Sequence, residues 1–320
     1  MTLHEITIEV TQRCPNRCIY CSSLSDATKT QCLDYDTICH VVDDAKSLGA
    51  KSVSLSGGEP FLHPDIVRIV DYIRQKGMVC LIYTSGLVLS EDEKPTSIPV
   101  KILGAIKGKV SKLIVNIEAA DEATYNHIMG TSFGGFGLMQ DSIRKANNAG
   151  IAVEAHVVPM KLNLYQLPQI MALCNKLGVG RVSFLRLVVQ GRAYEHKSAI
   201  LLSEDEVVFA KKLISTQSPQ YRGAIRFGIP FGDCPHRVNC MTGTSKLDIR
   251  YDGKVYPCEA YKDMPDGIYA PDSINEKRLS EIYKNSSYLN EIRNQLEDFQ
   301  QINTCESCMN QYFRNQNERR

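Results

Sequence analysis

The sequence has almost no net charge: 37 Lys and Arg stand against 36 Asp and Glu in 320 residues, a formal +1. Such a balance leaves no electrostatic footprint for a nucleic acid or an anionic membrane surface. Long apolar runs are missing too, and none approaches the roughly 20 residues that span a bilayer. The N-terminal MTLHEITIEV alternates polar and apolar residues where a signal peptide would carry an apolar block. A cytoplasmic chain is therefore expected, with neither nucleic acid nor membrane as partner. With 43% hydrophobic and 23% charged residues the composition is that of an ordinary globular protein. The length suffices for one large domain, or for a large one plus a small one.

Cysteine, by contrast, is abundant: there are twelve. In a reducing compartment clustered thiols point to metal rather than to disulfides. Three of them, Cys14, Cys18 and Cys21, fall within TQRCPNRCIYCSS, spaced C-x3-C-x2-C. Five more, Cys234, Cys240, Cys258, Cys305 and Cys308, lie in the tail, while Cys32, Cys39, Cys80 and Cys174 are scattered and read as small buried hydrophobes. A tetrahedral zinc site needs a fourth ligand from elsewhere beside the first three thiols, with His4 or His40 as candidates. A cubane cluster suits three thiolates better, because each takes one corner iron and one iron is left open for a substrate-like ligand.

Along the first two thirds, short runs rich in Val, Ile and Leu alternate with helix-period segments. HEITIEV, KSVSLSG, VCLIYTS, KLIVNIE, AVEAHVV and RVSFLRLV read as parallel strands buried on both faces. Between them, Ile38, Val41, Val42, Ala45 and Leu48 form one helical stripe. HPDIVRIVDYIRQKG places Pro64 in a first turn and ends at Gly77. Further helices are expected near 97–108, 137–149, 165–177 and 203–217. Six strand–helix units argue for a parallel β/α barrel or a doubly wound sheet, with chemistry on the loops after the strands' C-terminal ends. The triple-cysteine run follows the first strand. SFGGFG at 132–137 lacks the Gly-Lys-Ser/Thr ending of a phosphate loop and reads as a plain loop.

After about residue 218 the texture changes. KLDIRYDGKVYPC reads as a hairpin turning on Asp252-Gly253, followed by a helix near 276–296 and then CESC. The chain thus divides into 1–218 and a small cysteine-bearing unit, 219–320.

With these motifs in hand, the sequence resembles the radical S-adenosylmethionine (SAM) superfamily. Tyr20 supplies the aromatic of that family's C-x3-C-x-aromatic-C motif, and SLSGGEP after the second strand looks like its GGE motif. The resemblance implies a partial (β/α)6 TIM-type barrel and a 4Fe-4S cluster held by Cys14, Cys18 and Cys21. The open iron would chelate SAM, and one electron would cleave it to a 5′-deoxyadenosyl radical that attacks a C–H bond. Gly57, Gly58 and Glu59 would meet the amino group of SAM, the carboxylate pairing with the ammonium. VNIEAADEATYNHIMG resembles the ribose-contacting stretch, with Asn116 and a Glu118 where relatives carry Asp. Ser85 and Arg186 are further cofactor-contact candidates.

The tail resembles the twitch domain, a shortened relative of the SPASM domain. Cys240, Cys258, Cys305 and Cys308 would hold one auxiliary 4Fe-4S cluster; a zinc knob on the same thiols fits the ligand count equally. Cys234 is left over as an alternative ligand, a buried thiol or a hydrogen-atom donor. The implied activity is a radical SAM oxidoreductase fed by a reductant such as flavodoxin or ferredoxin. Its substrate would be a peptide side chain or, alternatively, a sugar or aminocyclitol. The reading of another class is a non-catalytic iron–sulfur or zinc scaffold.

Overall fold

In the first strand, β1 (Glu5–Thr11), Ile6, Ile8 and Val10 are fully buried under helices, while Glu5, Thr7 and Glu9 alternate with them on the opposite face. The same alternation recurs in β2 (Ser52–Gly57) and β7 (Val153–Val157). It organises the whole architecture, a sheet whose outer face is apolar and whose inner face is polar. The structure, a computed structural model, describes residues 1–131, 134–228, 240–262 and 270–302.

The six expected strands are present in the expected order: β1, β2, β3 (Val79–Thr84), then, after a short hairpin of β4 (Leu87–Leu89) and β5 (Pro95–Ser97), β6 (Lys112–Asn116), β7 and β8 (Arg181–Phe184). All six pair in parallel in one sheet. The sheet is larger than the six units. β9 (Ala224–Phe227) adds a seventh parallel strand beside β8, and on the other edge β10 (Lys246–Ile249) pairs in parallel with β1. β11 (Val255–Tyr256) returns antiparallel to β10. The cysteine-bearing tail is therefore hydrogen-bonded into the same sheet.

Helices cover the outer face: α1 (Tyr35–Ser47), α2 (Ile66–Gln75), α3 (Val100–Ile106), α4 (Glu122–Met129), α5 (Gly135–Asn148), α6 (Leu167–Lys176), α7 (Ala193–Ile200) and α8 (Glu204–Gln217). Their ends follow capping chemistry. Asp34 caps α1 through the Thr37 N–H, and Ser203 with Glu206 forms a capping box on α8. Pro64 sits ahead of α2 rather than in its first turn, because Asp65 takes the N-cap position. The second half of SFGGFG is helical, since α5 starts at Gly135; 132 and 133 lie outside the described residues.

Two details of the tail differ from expectation. The hairpin turns on three residues, Tyr251, Asp252 and Gly253, with Arg250 and Lys254 paired across it and Gly253 at φ 85°. The expected single helix is broken into α9 (Leu279–Asn285) and α10 (Ser287–Ile302) at Ser286, whose hydroxyl accepts from the Leu289 N–H and caps the second piece. Of the scattered thiols, Cys39, Cys80 and Cys174 are buried as expected, but Cys32 is exposed.

Candidate active site

A cavity of about 210 Å³ opens where β2, β3 and β6 end, which is where a parallel sheet presents its ligand site. Cys14, Cys18 and Cys21 line it together with Tyr20, Gly57, Gly58, Ser85 and Asn116. Neither His4 nor His40 does: both are exposed, and His4 precedes β1 at the opposite end of the strand. The zinc reading thereby loses both of its named candidates for a fourth ligand. Among the described residues no three metal-ligating groups close on a single ion. Thiolates that each take a different iron of a cluster have no need to.

The loop that carries the thiols is gripped from three sides. From β2, the Gly58 N–H donates to the Thr11 carbonyl at 2.7 Å and the Glu59 N–H to that of Arg13 at 2.8 Å. A Cβ on Gly58 would stand 2.2 Å from the Arg13 carbonyl oxygen. The glycine is therefore required by the approach of two backbones to each other, not only by a ligand. From α4, the Met129 and Ile128 carbonyls accept from the Arg17 and Ile19 N–H groups. From the segment after β8, Arg192 donates its backbone N–H to the Cys21 carbonyl and its guanidinium to those of Cys18 and Ser25. Burial raises the pKa of Cys14 and of Cys18 well above the ordinary thiol value, and the Arg192 charge pulls Cys18 partly back.

Glu59 is fully buried and does not line the cavity. Its carboxylate accepts from the Thr84 hydroxyl at 2.7 Å and from the backbone N–H and hydroxyl of Ser85 at 2.9 and 2.8 Å. Burial pushes its pKa up to about 7 against these donors. Glu59 thus ties the end of β2 to the end of β3, and Ser85 is the side chain it presents to the cavity.

Tyr20, Asn116 and Glu118 are brought together. The Tyr20 hydroxyl and the Asn116 amide both donate to one Glu118 oxygen, at 2.7 and 3.2 Å, and the Val158 N–H donates to the other at 2.9 Å. Glu118 is itself buried behind the wall, its pKa likewise raised to about 7 by burial. The longer glutamate reaches the next strand and orients Tyr20 and Asn116, which face the cavity.

Arg186 is not among these residues. It lies two positions past β8, and its guanidinium pairs with Glu204 at the start of α8. Cys240 and Cys258 are partly buried, on segments joined by a 2.9 Å bond from the Gly243 N–H to the Pro257 carbonyl. Cys234, Cys305 and Cys308 lie outside the described residues.

Five cavity residues, Glu9, Asn16, Ser23, Ser25 and Lys262, carried no signal in the sequence. Glu9 and Lys262 form an ion pair in the wall, with Asp248 at 3.5 Å from the ammonium and Ser23 donating to Glu9 at 2.5 Å. Asn16 and Ser25 are buried there with side-chain polar atoms that have no partner among the described residues. Isolated polar residues of this kind have no periodicity or spacing to reveal them. Only the β1 alternation, with Glu9 opposite the apolar stripe, hints at one.

Residues 8–174 match the family model of the radical SAM superfamily. The chain belongs to the radical SAM superfamily. Residues 240–309 of this radical SAM protein match the SPASM model, an iron–sulfur cluster-binding domain. It is 26% identical to the PqqA peptide cyclase of Gluconobacter oxydans over 89% of its own length and 77% of that protein. The PqqA peptide cyclase of Ruegeria pomeroyi is 27% identical, over 89% and 75%. Among solved structures, Streptococcus suis SuiB bound to S-adenosylmethionine superposes with a TM-score of 0.72 at 16% identity, covering 91% of this chain and 68% of that one. AnSMEcpe with bound AdoMet gives 0.67 at 13% identity, over 92% and 84%. At such identities these two likenesses speak for the fold alone.

Membership implies a 4Fe-4S cluster and SAM, the SPASM match implies an auxiliary iron–sulfur cluster, and the first site fits its cofactors. Three thiols share one cavity wall with the unpartnered polar atoms of Asn16 and Ser25, as a large polar guest requires. No helix among the described residues is long and apolar enough to cross a membrane.

Proposed function

We propose that this radical SAM enzyme is an oxidoreductase that acts on a C–H bond of a peptide side chain, in the cytoplasm, with its electron supplied by a small reductant such as flavodoxin or ferredoxin. The cluster and SAM together supply a carbon-centred radical strong enough to take hydrogen from an unactivated C–H bond. The chain's own residues hold and shield. Cys14, Cys18 and Cys21 are the iron ligands, Gly57, Gly58 and Ser85 the methionine-side wall, and Asn116 with Tyr20 the wall held by Glu118. Cys240 and Cys258, with Cys305 and Cys308, are assigned to the auxiliary cluster. The observation that carries the peptide reading is similarity, over nine tenths of the chain, to enzymes that cyclise a peptide.

The proposal is tested in two steps. Anaerobically reconstituted enzyme with reductant should convert SAM to 5′-deoxyadenosine, and Cys14→Ala, Cys18→Ala or Cys21→Ala should each abolish that; turnover surviving in these variants would refute the radical reading. Peptides encoded beside its gene are then incubated in deuterium oxide. Oxidation yields a product two hydrogens lighter with no solvent label at the attacked carbon. A product of otherwise unchanged mass carrying one deuterium, lost in Cys234→Ala, would make the enzyme an epimerase instead.

A further inference from the structure

The segment Gln190–Arg192 touches both thiol-bearing regions at once. Arg192 is only 4% exposed although it is an arginine between a strand and a short helix. Its backbone N–H donates to the Cys21 carbonyl at 3.1 Å, its Nε to the Cys18 carbonyl at 2.8 Å and an Nη to the Ser25 carbonyl at 2.7 Å. Gly191, at φ 55°, lets the chain close onto the loop, because a Cβ there would stand 2.4 Å from the Cys21 carbonyl oxygen. Two residues before Arg192, the Gln190 side chain donates to the carbonyl of Glu259 at 2.7 Å, immediately after Cys258.

We infer that Arg192 is a positioning residue for the iron-binding loop, fixing the carbonyls beside Cys18 and Cys21 and setting the charge that the loop's iron experiences. The physical grounds are two. A planar guanidinium that bonds two carbonyls fixes their separation in a way a single donor cannot. Carbonyl acceptors carry no net charge, so the guanidinium's positive charge remains unneutralised by the groups it binds. In a buried site its field is weakly screened, and a nearby cation favours the more reduced, more negative state of an iron–sulfur centre. Neither ground depends on what the substrate is.

The test is a potentiometric titration of the reconstituted enzyme by electron paramagnetic resonance, following the signal that SAM perturbs, alongside KM for SAM in 5′-deoxyadenosine formation. Arg192→Gln should keep its iron, titrate at a more negative midpoint and show a KM for SAM raised on the order of tenfold, the scale of lost hydrogen bonds from a charged group. Arg192→Lys, which returns the charge without the fork, should restore the midpoint but not the KM. A native midpoint and KM in Arg192→Gln would overturn the inference. So would a midpoint in Arg192→Lys as negative as in the glutamine variant. Should Arg192→Gln fail to retain iron, the lysine variant decides alone: a native midpoint with raised KM supports the inference, and a native KM overturns it.

Discussion

A carboxylate with no exposed surface needs a donor for each oxygen, and Glu59 finds its donors on the end of the neighbouring strand. The motif in which it sits suggests a direct pair with the SAM ammonium, whereas its geometry spends it on Thr84 and Ser85. The two readings predict different outcomes for Glu59→Ala. If the carboxylate supports the wall, the substitution strands buried donors, costs about 1–3 kcal/mol of stability per unsatisfied group, and weakens SAM binding only because Ser85 moves. Asn116→Ala, which faces the cavity, should lower SAM affinity with little loss of stability. Chemical denaturation and SAM binding measured on both variants check this. An unchanged stability in Glu59→Ala with reduced SAM affinity would restore the direct pair. That the three thiols share the cavity was legible because their loop is local: its spacing is written in eight consecutive positions. Arg192 was not, since one arginine 171 positions after Cys21 carries no pattern at all.

At the level of strands and loops the sequence showed where the elements are better than which way they face. All six core strands were legible from their Val, Ile and Leu content. They do not bury two apolar faces, however, because Glu5, Thr7 and Glu9, or Glu154 and His156, occupy the inner positions and meet partners there: Glu259 for Thr7, Lys262 for Glu9, Lys112 for Glu154. Period-two alternation was present in HEITIEV all along, and its polar half faces inward, where Glu9 lines the cavity. α4 and α7 were missed because their apolar stripes are short, and β9 because four residues lie below what a pattern can distinguish. The glycine pair after β2 belongs to this scale too. Since the Gly58 position meets backbone at 2.2 Å, Gly58→Ala has to push the thiol loop away. The expected result is a folded chain, with unchanged far-ultraviolet circular dichroism, that has lost the SAM-perturbed paramagnetic signal. A native signal in that variant would show the loop is free to move.

Across the whole molecule the tail is stitched to the barrel rather than appended to it. β10 continues the sheet from β1 over four registered pairs, a buried ion pair joins Lys262 of the tail to Glu9, and Lys246 makes a half-exposed one to Glu5. These contacts are made by side chains and backbone, without the tail thiols. Replacing the four tail thiols therefore leaves the stitching in place, whereas removing the tail would leave the buried Glu9 carboxylate on β1 without its cation, a far costlier change. A chain carrying Ala at Cys240, Cys258, Cys305 and Cys308 should accordingly keep the first site and its SAM-perturbed signal, and lose only the second cluster. On the proposed assignment of three thiols to one cluster and four to the other, reconstituted wild type should bind about twice the iron and sulfide of that variant. A chain ending at residue 218 should hold neither, because β1 loses the strand beside it. Iron and sulfide assays on the three proteins decide the matter: equal iron in wild type and the four-alanine variant would remove the auxiliary cluster from the account, and a fully loaded first site in the shortened chain would show that the stitching does not hold the barrel together.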